Sequence, residues 1–284
     1  MKKRPGFPAR LDLGSEAPPP TTTMAVTKLL SPKKVVAPQA VAKVAPVPVP
    51  VPKANRNKQV SAPAQLGLDS AAVRDRMVRK LAEQGVEDEQ VLQAMGAVER
   101  HRFVDSALVN QAYEDTSLPI GLGQTISKPN VVARMIELLR QGRNLMIDGK
   151  LGRVLEIGTG CGYQAAVLAQ VAKEVYSIER LRGLHERARE NLRPLRIANV
   201  HLLLGDGMLG YPKGAPYAGI IAAAGGEAIP QAWVDQLALG GRIVAPMVTQ
   251  QGQQALVVID KTPQGVQQQW LEAVHFVPLK SGVA

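Results

Sequence analysis

The sequence predicts an α/β fold: a doubly wound, mostly parallel sheet of seven strands that ends in an antiparallel hairpin, preceded by a small helical subdomain. Three observations predict it. From about residue 142 onward, short apolar runs alternate with helical segments, the pattern of βαβ units. One of these units, residues 153–180, has a glycine-rich turn between strand and helix and an acid at the end of its second strand. The last two strand candidates, 255–260 and 268–276, lie close to hairpin spacing, too close for a crossover helix.

The chain divides at about residue 68. Residues 1–68 carry eleven Lys or Arg and two acids, a balance of +9, and the remaining 23 basic and 22 acidic residues nearly cancel. The basic character of the 284-residue chain therefore belongs to its extension, and the near-neutral remainder makes no electrostatic case for a nucleic-acid enzyme. Residues 45–52 read APVPVPVP, an alternating proline run that favours polyproline II and offers few backbone donors. Residues 1–68 are therefore expected to be a disordered or semi-rigid spacer, at most a weak electrostatic tether to anionic surfaces. The basic start, MKKR, is followed by Pro5, Pro8, Arg10 and Asp12 where an export signal needs an apolar core. No apolar run reaches the length of a membrane span, and a single cysteine, Cys161, excludes an intramolecular disulfide. A cytoplasmic, monomeric protein without a metal is expected.

Order is expected from residue 69. Asp69 or Ser70 can cap a helix with Val73, Met77 and Leu81 on one face, ending at Gly85. Asp88 can cap a second helix carrying Val91, Leu92, Met95 and Val98, and Phe103, Val104, Leu108 and Tyr113 suggest a further short helical piece. LPIGLGQTIS, residues 118–127, reads as a loop ahead of a helix over 129–140 that Gly142 ends. Ser127, with Pro129 two residues on, fits an ordinary helix N-cap. A helix N-terminus is also a natural place to hold a carboxylate, so both roles stay open. Residues 69–141 would form the helical subdomain and 142–284 the sheet.

Val154, Leu155 and Ile157 form a buried parallel strand, Gly158, Gly160 and Gly162 a turn, and 163–171 a helix. Residues 174–178 follow as a strand with Glu179 at its end. Glycines allow the sharp turn and the close approach of a ligand to the backbone. A carboxylate about 20 residues on can accept from both hydroxyls of an adenosine ribose. Glu156, just before the turn, would face a cation or an amino group. Then come a helix over 181–192, a strand over 200–204, and Gly205-Asp206-Gly207 at that strand's carboxyl end, where open α/β sheets bind ligands. Asp206 there can accept from an adenine amino group. A strand over 217–222, a helix over 230–239 closed by Gly240-Gly241, and strands over 242–246, 255–260 and 268–276 complete the chain.

Glu156-x-Gly158-x-Gly160 resembles motif I of the class I methyltransferases, which bind S-adenosylmethionine. LPIGLGQTIS, VLEIGTGCGYQAAVLA (154–169), VYSIER (175–180), GDG (205–207) and FVPL (276–279) together resemble the protein-L-isoaspartate (D-aspartate) O-methyltransferase family in its bacterial form, over about residues 69–279. Most specific is GQTIS at this distance before the glycine turn.

The resemblance implies a class I, Rossmann-like methyltransferase that moves a methyl group from S-adenosylmethionine to the free α-carboxylate of isoaspartyl residues in damaged proteins. The ester then closes to a succinimide without the enzyme, and hydrolysis returns some Asp. It implies Ser127 as the active-site residue, a positioner acting with Gln124, Thr125 and Ile126, and Val277, Pro278 and Leu279 lining the peptide site. It implies Glu156, Gly158, Gly160, Glu179, Asp206 and Gly207 at the cofactor. Cys161 and Ala218 depart from the family pattern, which has another small residue and an Asp there. Two competing readings are a class I methyltransferase for RNA or a small molecule, recruited by the basic extension, and a binding protein that keeps the fold without catalysis. The near-neutral folded part argues against the first, and the intact glycine turn, Glu179 and Ser127 argue against the second.

Overall fold

A computed structural model describes residues 71–284; the reading of 1–68, and the candidate caps Asp69 and Ser70, lie outside the described residues. The chain begins with helices α1 (Ala71–Glu83) and α2 (Glu89–Ala97). Asp88 caps α2, accepting from the Gln90 and Val91 N–H groups, an arrangement typically worth about 1 kcal/mol. Helix α3 (Pro129–Arg140) holds this cap from below. Glu137 Oε1 accepts from the Glu87 and Asp88 N–H groups at 2.6 and 2.9 Å, and Arg140 Nε donates to Asp88 Oδ2 at 2.7 Å. Glu137 and Arg140 are buried, so losing one partner here would cost about 3–5 kcal/mol. The half-exposed Arg134–Glu272 pair is worth at most about 1 kcal/mol, so the buried network ties the helical layer to the rest.

The sheet order is β5-β4-β3-β6-β7-β8-β9, formed by β3 (Leu151–Ile157), β4 (Ala172–Glu179), β5 (Val200–Leu204), β6 (Tyr217–Ala222), β7 (Leu237–Val248), β8 (Gln254–Thr262) and β9 (Gly265–Ala273). Strands β5 to β7 in that order pair in parallel, and β8 and β9 are antiparallel. The period of two along each strand divides the apolar side chains between two cores. Val154 and Ile221 join the core under α1–α3 and α4 (Tyr163–Val171). Leu155, Ile157, Ile220 and Ala222 join the opposite core with Trp233 of α6 (Gln231–Gln236). Helix α5 (Arg182–Leu192) contributes Leu184 and Leu192 to the first core. Strand order reverses between β3 and β6, which opens a crevice at the carboxyl ends of these strands.

Three expectations are corrected. The expected helix over 230–239 stops at Gln236, and residues 237–241 already belong to β7. Lys261 Nζ donates to the Val234 carbonyl in the last turn of α6 and to that of Leu237, its C-cap, both at 2.8 Å. The expected loop over 118–127 is a two-stranded hairpin, β1 (Leu118–Gly121) and β2 (Gln124–Ile126), with Leu118 opposite Ile126 and Pro119 opposite Thr125. Gly121, Leu122 and Gly123 all have positive φ (91, 51 and 68°), the conformation that closes such a tight turn. The short piece after α2 consists of two 3-10 turns, Arg100–Phe103 and Ser106–Gln111. The last strand ends at Ala273, before the expected 276.

Candidate active site

The crevice is a cleft of about 540 Å³. Its floor is the turn after β3, one wall is the end of β4, the opposite wall is the β1–β2 hairpin, and residues 277–280 close one side.

The turn owes its shape to its glycines. Gly158 and Gly160 have φ of 91 and 57°, where a side chain is strained. A Cβ at Gly160 would meet Ile120 Cδ1 of the hairpin at 3.2 Å. The Gly158 N–H donates to the Ile178 carbonyl at 2.8 Å, which docks the turn on β4. The two oxygens of Glu179 then accept one backbone N–H each, Oε2 from Gly160 and Oε1 from Leu181, both at 2.9 Å. Glu179 is 5 % exposed and lines the cleft, and these two bonds leave acceptor capacity on both oxygens.

Glu156 sits elsewhere than expected. It is 0 % exposed and does not line the cleft; it lies behind the turn, bonded to the Ser177 hydroxyl, which in turn bonds Thr159 Oγ1 at 2.6 Å. Burial pushes its pKa up to about 8, with a further rise from the Glu179 charge, so it is protonated at neutral pH. Its role is to support the turn from beneath as a neutral acid. The folded state therefore holds a proton that the unfolded chain releases near the ordinary carboxylate pKa. Stability from this group is full below about pH 4.5 and falls as pH rises toward 8. Glu156→Gln is expected to flatten the dependence of Tm on pH between 5 and 8, as thermal melts across that range would show. An unchanged slope would contradict the assignment.

Asp206 also lies off the cleft wall. Its Oδ1 accepts from the Met208 N–H at 2.9 Å and its Oδ2 from the Gly282 N–H at 2.7 Å, while its neighbour Gly207 lines the cleft. Residues 282–284 lie alongside β4's end: Ala284 exchanges backbone bonds with Arg180 and Arg182, each 2.8 Å.

On the hairpin wall, Gln124, Thr125, Ile126 and Ser127 all line the cleft. Ile126 is buried in the main core, Thr125 is exposed, and Ser127 is half-buried. The cap role open to Ser127 is corrected. The N-cap of α3 is Lys128, and the Asn130 N–H is taken by Asp115 Oδ1 at 2.9 Å. Among the described residues the Ser127 hydroxyl has no hydrogen-bond partner. The hairpin is fixed against α5 by Arg187, which donates to the Ile120 carbonyl at 2.6 Å. Val277, Pro278 and Leu279 line the third side, held by backbone bonds to Gly225: its N–H donates to Val277 at 2.8 Å and its carbonyl accepts from Leu279 at 2.7 Å. Cys161 is buried, and burial raises its thiol pKa, the opposite of an activated thiol.

The cleft also contains residues that no sequence pattern singled out. Tyr163 and Gln164, at the start of α4, line it, and Gln164 Nε2 is buried without a hydrogen-bond partner. Leu122, 63 % exposed at the hairpin tip, lines its rim. The arrangement offers two kinds of contact. The glycine turn and Glu179 present a backbone surface and an anionic acceptor, a pair suited to a ligand with a hydroxylated ring. The hairpin presents two hydroxyls and an amide, suited to an anionic or polar group. Among the described residues no helix is long and apolar enough to cross a membrane.

Residues 72–284 match the sequence model of the family described as protein-L-isoaspartate(D-aspartate) O-methyltransferase. The protein-L-isoaspartate O-methyltransferase of Methylibium petroleiphilum is 63 % identical over 224 residues, 78 % of this chain and 82 % of that protein. The enzyme of the same name from Leptothrix cholodnii is 57 % identical over 251 residues, 87 % of this chain and 88 % of that protein. A solved protein-L-isoaspartate O-methyltransferase superposes with a TM-score of 0.65 at 28 % identity, covering 74 % of this chain and 67 % of the other. A Plasmodium falciparum structure, described as a complex with S-adenosyl-L-homocysteine, shares the fold with a TM-score of 0.60 at 24 % identity, covering 73 % of this chain and 98 % of that one.

Proposed function

Because the chain belongs to the protein-L-isoaspartate(D-aspartate) O-methyltransferase family, we propose that its cleft is where a methyl group passes from S-adenosylmethionine to the free α-carboxylate of an isoaspartyl residue. The chain is a repair methyltransferase of this type, and S-adenosylmethionine is its methyl donor. The observation that carries the assignment to this cleft is the juxtaposition of its two walls. A carboxylate with spare acceptors, Glu179, faces the same space as an unpartnered hydroxyl, Ser127.

The residues present suit the donor. Gly158 and Gly160 carry no side chain to block the backbone, Glu179 accepts from the ribose hydroxyls, and the Gln164 side chain, which faces the buried Glu156, borders the methionine part. Gly207 borders the adenine end, with Asp206 shaping it from outside the wall. Bound there, S-adenosylmethionine would supply a methyl group on a sulfonium whose sulfur leaves as a neutral thioether. The acceptor carboxylate is already ionised at neutral pH, so no side chain has to remove a proton. A carboxylate oxygen forms the new bond to the methyl carbon while the carbon–sulfur bond breaks and its electron pair stays on sulfur.

The protein's task is then alignment and exclusion of competing water, a task that can account for several kcal/mol of barrier. Ser127 and Thr125 hold the carboxylate in line, Gln124 and Ile126 set the position of that strand, and residues 277–279 border the peptide. The single cysteine suits a reducing cytoplasm, and the near-neutral balance of residues 69–284 supports no specific nucleic-acid partner.

The acceptor class is tested by offering methyl-labelled S-adenosylmethionine with an aged protein and, separately, with RNA. Label that enters the aged protein and leaves it in mild base, as a methyl ester does, is the expected result. Stable label in RNA would favour the nucleic-acid reading instead.

A further inference from the structure

Arg100 lies in the 3-10 turn Arg100–Phe103 and is completely buried, at 0 % exposure. Its Nε donates to the Ala112 carbonyl at 2.8 Å and its Nη2 to the Ser127 carbonyl at 2.7 Å. The guanidinium carbon stands 4.7 Å from the centroid of the Tyr163 ring, which itself lines the cleft. Among the described residues no carboxylate forms an ion pair with Arg100, and its Nη1 is buried without a hydrogen-bond partner. Burial pulls its pKa down, Tyr163, Cys161 and the more distant charge of Asp115 oppose this, and a guanidinium stays charged at neutral pH regardless.

A buried Arg joining two carbonyls is the ordinary structural staple, and the Ala112 contact fits that role. A full charge is a costly way to join two carbonyls, however. Burying one without a counter-ion carries a penalty of several kcal/mol, and two carbonyl bonds and a ring face offset only part of it. The charge is also placed with direction. One of its two bonds goes to the backbone of Ser127, and its guanidinium lies over the ring of Tyr163, a side chain of the same cleft. An anion bound at the Ser127 hydroxyl would complete the balance.

We propose that Arg100 is a positioning residue for methyl transfer: it fixes the Ser127 backbone against the cleft and puts a positive charge that no direct ion pair neutralises behind the point where the substrate carboxylate docks. It does not line the cleft and acts through Ser127 and Tyr163. The inference rests on the role given to Ser127 above.

The experiment uses the full chain, an isoaspartyl peptide and saturating S-adenosylmethionine. Arg100→Met removes charge and donors at similar length; Arg100→Lys keeps the charge and loses the fork that reaches both carbonyls. Active sites are counted by calorimetric titration with S-adenosylhomocysteine, so unfolded protein does not enter the rate. Per such site, kcat/KM is expected to fall about a hundredfold in Arg100→Met and about tenfold in Arg100→Lys, the scale of a small misplacement of reacting groups. Affinity for S-adenosylhomocysteine is expected to stay within about threefold.

A purely structural staple predicts otherwise. It would leave kcat/KM per site within about threefold of the wild type, or lower cofactor affinity in proportion to the rate, and either result overturns the proposal. If Arg100→Met does not fold, Arg100→Lys is judged by the same two criteria. A wild-type chain that leaves the peptide unmethylated would overturn the functional reading itself, which separates the two failures.

Discussion

Ser127→Ala is expected to lower turnover on an isoaspartyl peptide roughly a hundredfold while Tm stays within about 2 °C of the wild type. The two halves of this expectation come from different contacts. Ser127 lies next to a helix start, and the loss of a capping hydroxyl there would cost about 1 kcal/mol, a shift of roughly 2–4 °C for a domain of this size. Lys128 holds the N-cap position and Asp115 takes the Asn130 N–H, so the hydroxyl is free of that duty. Its backbone carbonyl, which Arg100 holds, is untouched by the substitution. What is lost is an unpartnered hydroxyl of a residue that lines the cleft, and a lost donor at the reacting group reduces rate. Full activity with a lowered Tm would restore the cap reading.

The second large effect is on the donor side. Glu179→Ala is expected to weaken binding of S-adenosylhomocysteine by about a hundredfold, close to 3 kcal/mol, because hydrogen bonds to a charged acceptor are worth about 1.5–3 kcal/mol each. The same change frees the Gly160 and Leu181 N–H groups, which Glu179 now accepts, so the glycine turn also loosens. Glu179→Gln separates these contributions. It keeps one oxygen for the backbone and removes the charge, so its affinity is expected to lie between those of wild type and Ala. Calorimetry on all three proteins, with melts in the absence of ligand, gives both numbers. Equal affinity in all three would remove Glu179 from the cofactor site.

The fold was legible where apolar period and glycine placement are local signals. Strand β3, the turn, α4 and Glu179 follow from one stretch, since a buried parallel strand must be continuously apolar and the turn after it needs positive φ. The end of α6 was not legible, because Lys261, far along the chain, holds carbonyls of its last turn and C-cap. The β1–β2 hairpin was hidden because its strands are only four and three residues long and Leu122, at its turn, occupies a backbone conformation usually left to glycine.

The site divides in the same way. Glu179 could be read from its place at a strand end after the glycine turn, whereas the type and position of Ser127 fit a helix cap equally and only the resemblance put it in the site; the two stand in one cleft. Glu156 and Asp206 were read from position relative to a strand end, which does not say which way a side chain turns; one turns under the glycine loop and the other toward Gly282. Arg100 carried no signal at all. A charged residue in a short helical turn normally faces water, and only the three-dimensional packing of Tyr163, Ala112 and Ser127 encloses it.

The central claim is that this cleft recognises a carboxylate displaced from its normal place in the chain. Methyl transfer from labelled S-adenosylmethionine to two short peptides, identical except for isoaspartate or aspartate at one position, tests it most directly. Base-labile label on the isoaspartyl peptide and none above background on the aspartyl peptide is the predicted result. Equal labelling of both, or labelling of neither by a protein that binds S-adenosylhomocysteine, would contradict it.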